Sequence, residues 1–130
     1  MEPATVEVRF SDCDLMGHVN NAVYFTYFEQ ARMYYLENIL NNKWDWKKDG
    51  IILVNNQITY LKPVFLYDKP HIYVSLEKIG NKSFTLKYVM KVNENTVAEG
   101  TSKLVSYDFT KRESVEVNPI MKEALLKLNY

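Results

Sequence analysis

The residues best suited to do chemistry in this chain lie between Ser11 and Asn21. This short stretch holds two carboxylates, a thiol, a histidine and two amides, together with one glycine. Asp14 is the side chain of most interest, because a carboxylate can attack an acyl carbon or deprotonate a water molecule. Its spacing alone leaves two interpretations open, a side chain that caps a turn and a reactive group.

The pattern after this stretch predicts a helix that ends near Asn41-Asn42. Asn20 or Asn21 is placed to be its N-cap. The first amides of a helix have no partner inside it and lie at the positive end of its dipole, so they can hold a developing oxyanion. Apolar side chains recur at helical spacing and form one broad face, which consists of Tyr24, Tyr27, Phe28, Ala31, Tyr34, Tyr35, Ile39 and Leu40.

The other polar residues of the stretch have structural interpretations beside functional ones. We expect Asp12 to tie the turn together through backbone amides. Gly17 either adopts a conformation closed to other residues or lets a substrate approach the backbone. His18 is a hydrogen-bonded framework histidine or an aid to catalysis. Cys13, the single cysteine, lies between two aspartates whose charge opposes thiolate formation, so we interpret it as a half-buried small side chain.

Alternating apolar and polar residues predict strands on both sides of the helix. A first strand over residues 4–10 leads into the stretch. Four more begin after the helix and break at turn residues: Ile51 to Lys62-Pro63, Ile72 to Gly80-Asn81, Phe84 to Asn93-Glu94-Asn95, and Val97 to Phe109. Asn118-Pro119 then starts a short helix whose apolar stripe is Met121, Ala124, Leu125 and Leu128.

These elements predict an α+β fold in which an antiparallel meander of four strands wraps around one buried helix. Residues 43–50 predict a loop or short helical turn, where Trp44 and Trp46 cover the end of the core or line a pocket. Open strand edges favour dimerisation, because an unpaired edge invites another chain.

The amino-acid composition argues against several classes of partner and cofactor. The 130 residues carry 16 basic and 16 acidic side chains, so no net field recruits nucleic acid or an anionic membrane. The sequence has no segment of transmembrane length and no leader pattern, so we expect one cytoplasmic domain over residues 1–130. One cysteine and two isolated histidines give no disulfide and no metal-ligand cluster, and we expect no metal or redox cofactor.

The stretch and the helix together resemble the opening of the hotdog-fold acyl-CoA thioesterases of the 4-hydroxybenzoyl-CoA thioesterase type. The resemblance rests on positions 12–32, which read Asp-x-Asp-x-x-Gly-His-Val-Asn-Asn-x-x-Tyr-x-x-Tyr-Phe-Glu-x-Ala-Arg. It continues with Tyr60-Leu61-Lys62-Pro63, Tyr67-Asp68 and Lys82-Ser83-Phe84. It therefore covers most of the chain and implies a hotdog fold, a sheet wrapped around one long helix.

The resemblance implies an acyl-CoA thioesterase whose catalytic carboxylate is Asp14. An ionised Asp14 acts as a nucleophile that forms a mixed anhydride or as a general base toward water, and the sequence leaves both routes open. The resemblance also implies that the backbone N–H of Asn21 polarises the thioester carbonyl. His18 or Asn20 then orients the water or Asp14.

Substrate contacts and assembly follow from the same resemblance. Lys82 and Ser83 match positions near the nucleotide and phosphates of coenzyme A, although their ordinary interpretation is a solvated turn. Gly17 remains a candidate substrate contact on the second of its two interpretations. Tyr24 is primarily a core residue, and the resemblance implies that the acyl group runs beside its helix. The resemblance implies a homodimer with its active sites at the subunit interface, or a homotetramer.

Two other functions remain open. A thioesterase that acts on acyl-acyl-carrier-protein would keep the same centre and exchange the nucleotide contacts for a basic docking patch. A non-catalytic hotdog module would bind acyl-CoA without turnover. A hydratase of enoyl thioesters is disfavoured, because the Asp/His signature of those hotdog enzymes differs from this one.

Overall fold

One antiparallel sheet and two helices make up residues 2–128, the part of the chain that the computed structural model describes. A single 3-10 turn, Phe10–Asp12, precedes the first helix. The other elements, in chain order, are β1 (Ala4–Thr5), α1 (Val23–Ile39), β2 (Gly50–Tyr60), β3 (His71–Ile79), β4 (Ser83–Val92), β5 (Asn95–Asp108), β6 (Glu113–Ser114) and α2 (Pro119–Leu125).

The strand order of the sheet is β1-β3-β4-β5-β2, with the short β6 paired to β5. The predicted four-stranded meander is therefore correct only for β3 to β5, because β2 lies at the far edge beside β5. The connection from β2 to β3 crosses the sheet, and its Val64 is fully buried and accepts a hydrogen bond from the Val19 amide at 2.8 Å. Apolar alternation marks the faces of a strand but does not identify its neighbours.

Helix α1 packs its predicted apolar face onto the sheet. Six members of that face are buried, Ile39 is half-buried and Tyr34 is exposed; the buried ones are Tyr24, Tyr27, Phe28, Ala31, Tyr35 and Leu40. Phe28 stacks on Tyr88 of β4 with ring centroids 4.3 Å apart. Helix and sheet approach closely at Gly100 of β5, where an added Cβ would lie 2.6 Å from the Phe28 ring. The predicted α+β hotdog arrangement is confirmed.

The strand predicted over residues 4–10 is wrong beyond β1. Val6 and Val8 are buried as their alternation predicts, but Phe10 is 83% exposed and begins the 3-10 turn. Local hydrogen bonds turn the chain here, because the Asp12 carboxylate accepts from the Arg9 amide at 3.0 Å and the Arg9 carbonyl accepts from the Asp12 amide at 2.9 Å.

The later predicted elements are confirmed with small shifts. Asn93 and Glu94 have positive φ values of 50° and 68° in the predicted turn between β4 and β5. The Asn118 side chain caps α2 by accepting from the Ile120 amide at 2.8 Å. β5 begins two residues before the predicted Val97, and β6 was not predicted.

Within residues 2–128, no helix is both long and apolar enough to cross a membrane.

Candidate active site

Residues 13–19 form a tight hairpin that presents the candidate carboxylate. Cys13 and Val19 form an isolated antiparallel bridge, and the Asp14 amide donates to the His18 carbonyl at 2.9 Å. The Gly17 amide then donates to the Asp14 carbonyl at 3.0 Å. Gly17 has a φ of +84°, the left-handed region that strains other residues. The conformational role predicted for Gly17 is therefore confirmed.

The two oxygens of Asp14 have different surroundings. Oδ1 accepts from the Met16 amide at 2.9 Å, whereas Oδ2 lies 3.9 Å from Nδ1 of His18. The Asp14 side chain is largely buried, with 19% exposed. One oxygen thus caps the turn, as the structural interpretation predicts, and the other faces an imidazole. In the described part of the chain, amides of the first turn of α1 are not among the hydrogen-bond partners of Asp14.

His18 is tied to the framework and also lines a cleft. Its Nδ1 lies 3.4 Å from the Val19 carbonyl oxygen, and its ring meets Phe65 edge-on with centroids 6.3 Å apart. The cleft beside it has a volume of about 200 Å³ and lies between the start of α1 and the end of β2. Its lining residues are His18, Asn21, Tyr24, Tyr60, Leu61, Lys62 and Pro63.

Tyr60 joins the two walls of this cleft, and no role was predicted for it. Its hydroxyl donates to the Asn21 carbonyl at 2.7 Å, and its ring meets Tyr24 edge-on at 4.9 Å. In the sequence, only its place in the Tyr60-Leu61-Lys62-Pro63 run, where the predicted strand ends, could have pointed to Tyr60. Tyr24 is only 2% exposed, and burial raises the pKa of its hydroxyl while a hydrogen bond with the Val64 backbone opposes the rise. Tyr24 is therefore a core residue whose edge borders the cleft.

The N-cap predicted at Asn20 or Asn21 is wrong, because α1 begins at Val23 and its N-cap is Ala22, which makes no side-chain capping bond. Asn20 closes the turn just before the helix, since its Oδ1 accepts from the Ala22 amide and its carbonyl accepts from the Val23 amide, both at 3.0 Å. The Asn21 amide donates none of the turn hydrogen bonds within residues 2–128. Asn21 lines the cleft, so among the described residues its N–H is a backbone donor at the cleft with no hydrogen-bond acceptor.

Asp12 holds the turn before the hairpin together through a backbone amide, as predicted, and the residue is only 5% exposed. Beyond the Arg9 amide, its Oδ2 accepts from the Tyr27 hydroxyl at 2.6 Å. Burial raises the pKa of Asp12, but the Tyr27 hydroxyl and the Arg9 groups outweigh burial and the pKa is lowered. Burial and the bond to Asp12 raise the pKa of Tyr27. Cys13 is half-buried, with its Sγ 3.9 Å from the Arg9 carbonyl oxygen, as a packing role predicts.

Lys82 and Ser83 lie far from this cleft within one chain. Ser83 is in register with Val105 of β5, whereas Tyr60 at the cleft is in register with Ala98 of the same strand. Seven residues of extended strand separate those two levels, a distance of about 23 Å. The structure therefore brings Asp14, Gly17, His18, Asn20, Asn21 and Tyr24 together at one end of the sheet and leaves Lys82 and Ser83 at the other.

The assembled groups suit acyl chemistry. His18 and Asn21 line the cleft, and the Asp14 oxygen that accepts no backbone hydrogen bond lies 3.9 Å from the His18 imidazole. A carboxylate beside an imidazole and a backbone N–H are the kinds of group that acyl transfer uses as nucleophile or base and as oxyanion donor. Among residues 2–128, no group of three or more histidine, cysteine, aspartate or glutamate side chains is arranged to hold a metal ion.

The chain is similar along most of its length to known proteins. The family model described as the thioesterase-like superfamily matches residues 8–125. The uncharacterized protein YsmA of Bacillus subtilis (strain 168) is 38% identical over 84 residues, which are 65% of this chain and 56% of that protein. The long-chain acyl-CoA thioesterase FadM of Escherichia coli (strain K12) is 28% identical over 123 residues, which are 92% of this chain and 93% of FadM.

The chain is also similar to a solved structure. A thioesterase from Thermus thermophilus, complexed with coenzyme A and zinc, superposes with a TM-score of 0.84 at 27% sequence identity. The superposition covers 95% of this chain and 96% of that one.

Proposed function

The chain belongs to the thioesterase-like superfamily and is a thioester hydrolase, and we propose that it hydrolyses acyl-coenzyme A thioesters to a free acid and coenzyme A at Asp14. The observation that carries the proposal is the Asp14 carboxylate, held by the Met16 amide and 3.9 Å from His18 at the cleft. FadM is named a long-chain acyl-CoA thioesterase, and the Thermus thioesterase was solved with coenzyme A, which supports the substrate class.

Two routes are open to Oδ2 of Asp14. In the first, Oδ2 attacks the thioester carbonyl carbon, coenzyme A leaves as its thiolate, and water hydrolyses the mixed anhydride to restore Asp14. In the second, Oδ2 takes a proton from a water molecule that attacks the same carbon, and that proton passes to the departing thiolate. His18 orients Asp14 or the water in either route.

The start of α1 supplies the oxyanion donor in this proposal. The Asn21 N–H donates to the thioester oxygen, and the bond from the Tyr60 hydroxyl to the Asn21 carbonyl, in the next peptide unit, helps to hold residue 21 in place. Asn20 closes the turn that aims the amide. Gly17 leaves space on its side of the hairpin, because a Cβ added there would meet no atom within 4 Å.

A complete substrate site needs two chains. β2 is the last strand of the sheet within residues 2–128, and its outer edge exposes Leu53 and Val54. Antiparallel pairing of two copies of β2 around Asn56 would bring the Gly50 end of one strand next to the Tyr60 end of the other. Lys82 and Ser83, which lie at the Gly50 end, would then reach the phosphates of a coenzyme A bound at the partner subunit's Asp14. We therefore propose a homodimer, which can pair further into a homotetramer.

The test is hydrolysis of a panel of acyl-CoAs, followed by release of free thiol. Asp14→Asn should lower kcat by about 10²–10⁴-fold, because the amide keeps the bond to the Met16 N–H but loses the reactive charge. Asp45→Asn is the matched control, since Oδ1 of Asp45 accepts from the Lys47 amide at 3.0 Å in the same kind of turn. Equal activity of Asp14→Asn and wild type would remove Asp14 from the mechanism. Binding without turnover by the wild type would instead identify a non-catalytic module.

One observation favours a second candidate, a thioesterase of acyl-acyl-carrier-protein. Lys78 and Lys103 flank Thr85 in the cross-strand register, and Lys87 follows two residues along β4 on the same face. These three exposed lysines form a basic patch that an acidic carrier protein would complement. Competition distinguishes the candidates, because free coenzyme A should inhibit hydrolysis of acyl-CoA and leave a carrier-protein reaction unaffected.

A further inference from the structure

Arg32 on α1 is a buried cation with an unused hydrogen-bond donor. The residue is 4% exposed, and its Nε has no acceptor among residues 2–128. Its Nη1 donates to the Tyr88 hydroxyl at a long 3.5 Å, and its Nη2 lies 3.4 Å from the carboxylate of Glu29, whose side chain is 64% exposed. A buried donor without a partner destabilises the fold, so an oxygen atom from a ligand would supply the acceptor that the protein lacks.

A cavity of about 440 Å³ opens beside this side chain, between α1 and the Gly50 end of β2. Its walls are mainly apolar, and Arg32 and Glu29 are the charged groups that line it. The apolar residues that line it are Met33, Ile51, Leu53 and Leu104. Gln30 is the third polar residue of the lining. A mainly apolar cavity of this size with a few polar groups is typical of a site for a small organic ligand.

We propose that Arg32 is a specificity-determining residue that donates a hydrogen bond to an oxygen carried by the acyl group of the substrate. The inference rests on the proposed thioesterase function and names its substrate class as oxygenated acyl groups, with a hydroxyl or a carboxylate beyond the thioester. Glu29 already offsets part of the Arg32 charge, so the free Nε–H suits a neutral oxygen as well as an anionic one.

The position of the cavity agrees with the proposed dimer. Ile51 and Leu53 lie at the same end of the sheet as Ser83, since Ser83 and Ile52 are both in register with Val105. The pairing of two β2 edges would bring this end next to the partner subunit's Asp14. Coenzyme A would then lie along Lys82 and Ser83, with the acyl group directed into the cavity toward Arg32.

The experiment compares matched acyl-CoAs. Butanoyl-, hexanoyl- and octanoyl-CoA are each assayed against the thioesters with a terminal hydroxyl and with a terminal carboxylate, so that the series samples the depth of the cavity. For at least one length, we expect wild-type kcat/KM to favour an oxygenated thioester by about 10- to 100-fold over the plain one. Arg32→Met, which keeps an unbranched buried side chain, should lower that ratio by about tenfold or more.

Two further variants make the result specific. Arg112→Met is the matched control, because Arg112 is exposed in the turn before β6, and the substrate ratio should remain that of the wild type. Arg32→Lys keeps the charge but lacks the Nε–H, and its ratio should also fall. Urea unfolding curves establish that each variant is folded before its ratio is compared.

The outcomes separate this inference from the proposed function. A wild type that hydrolyses acyl-CoAs with no preference for oxygen at any length would overturn the role of Arg32 alone, as would a preference that survives in Arg32→Met. A wild type that hydrolyses none of them would refute the thioesterase proposal. Calorimetric binding of the free hydroxy acids and dicarboxylic acids against plain fatty acids would then decide the inference, and equal affinities for wild type and Arg32→Met would overturn it.

Discussion

The buried carboxylate of Asp12 shows how a single side chain holds the candidate site in place. It accepts from the Tyr27 hydroxyl at 2.6 Å and the Arg9 amide at 3.0 Å, and these bonds outweigh burial and lower its pKa from the ordinary 3.8. A carboxyl whose pKa is lower in the folded protein stabilises the fold above the unfolded value, and the stabilisation is lost as the pH falls through the folded value. Asp12 therefore contributes fully at neutral pH and loses its contribution below about pH 4.

Tyr27→Phe removes the shortest of these bonds. We expect the free energy of unfolding to fall by about 1.5–3 kcal/mol at pH 7, and the deficit to shrink below pH 4 as Asp12 becomes protonated. Urea denaturation between pH 3 and pH 7 measures both. Tyr35→Phe is the control, because the buried Tyr35 hydroxyl hydrogen bonds to the backbone of Val74 rather than to a carboxylate. A Tyr27→Phe deficit that is the same at every pH would contradict this account of Asp12.

At the scale of elements, helix α1 packs closely against strand β5 because residue 100 is a glycine and has no side chain. A Cβ at Gly100 would lie 2.5 Å from the backbone carbonyl oxygen of Gln57 and 2.6 Å from the Phe28 ring. The ring is itself fixed, since it stacks on Tyr88 with centroids 4.3 Å apart. The helix that carries the candidate oxyanion donor at its start therefore sits on the sheet at a distance that only glycine allows.

Gly100→Ala should lower the free energy of unfolding by about 2–3 kcal/mol, because overpacking against fixed backbone forces a shift of helix or strand. Gly80→Ala is the matched control in the turn after β3, where the nearest atoms to an added Cβ are those of Ser83 at 3.5 Å. That substitution should cost nothing measurable. Thermal or urea unfolding of both variants makes the comparison, and equal stabilities would show that α1 and β5 adjust more freely than their geometry indicates.

The elements themselves were largely predictable, because helical spacing in α1 and alternation in β2 to β5 report the local burial of each side chain. The exceptions have local or long-range causes. The hydrogen bond to the Asp12 carboxylate turns the chain near Phe10, where the alternating pattern favoured a strand. Asn20 forms the turn just before the helix instead of capping the helix itself. The place of β2 beside β5 depends on a crossing connection buried at Val64, which no local pattern records.

For the whole molecule, the candidate site divides into a part that one hairpin holds and a part that needs distant contacts. Asp14 and His18 are four residues apart, so their spacing in the sequence already brought them together. Tyr60 reaches Asn21 only because β2 ends beside the start of α1, and the unpaired donor of Arg32 is visible only once the helix is packed. Neither contact leaves a periodic pattern in the sequence.

The separation of about 23 Å along the sheet between the cleft at Tyr60 and the turn at Lys82 gives the final prediction. If the site is shared between subunits, Asp14→Asn and Lys82→Ala damage different halves of it. A heterodimer of the two variants then retains one intact site, formed by Asp14 of one chain and Lys82 of the other.

Co-expression with two affinity tags isolates that heterodimer, and its thiol release is measured below the KM for acyl-CoA. We expect about half of the wild-type activity per dimer, since one of two symmetric sites is restored. Each variant purified alone should stay impaired, because every site then carries the same defect. If each site lay within one chain, the activity of the heterodimer would not recover, because each of its chains would still carry one damaging substitution. Recovery would therefore establish that each site takes Asp14 from one subunit and Lys82 from the other, as the proposed pairing of two β2 edges requires.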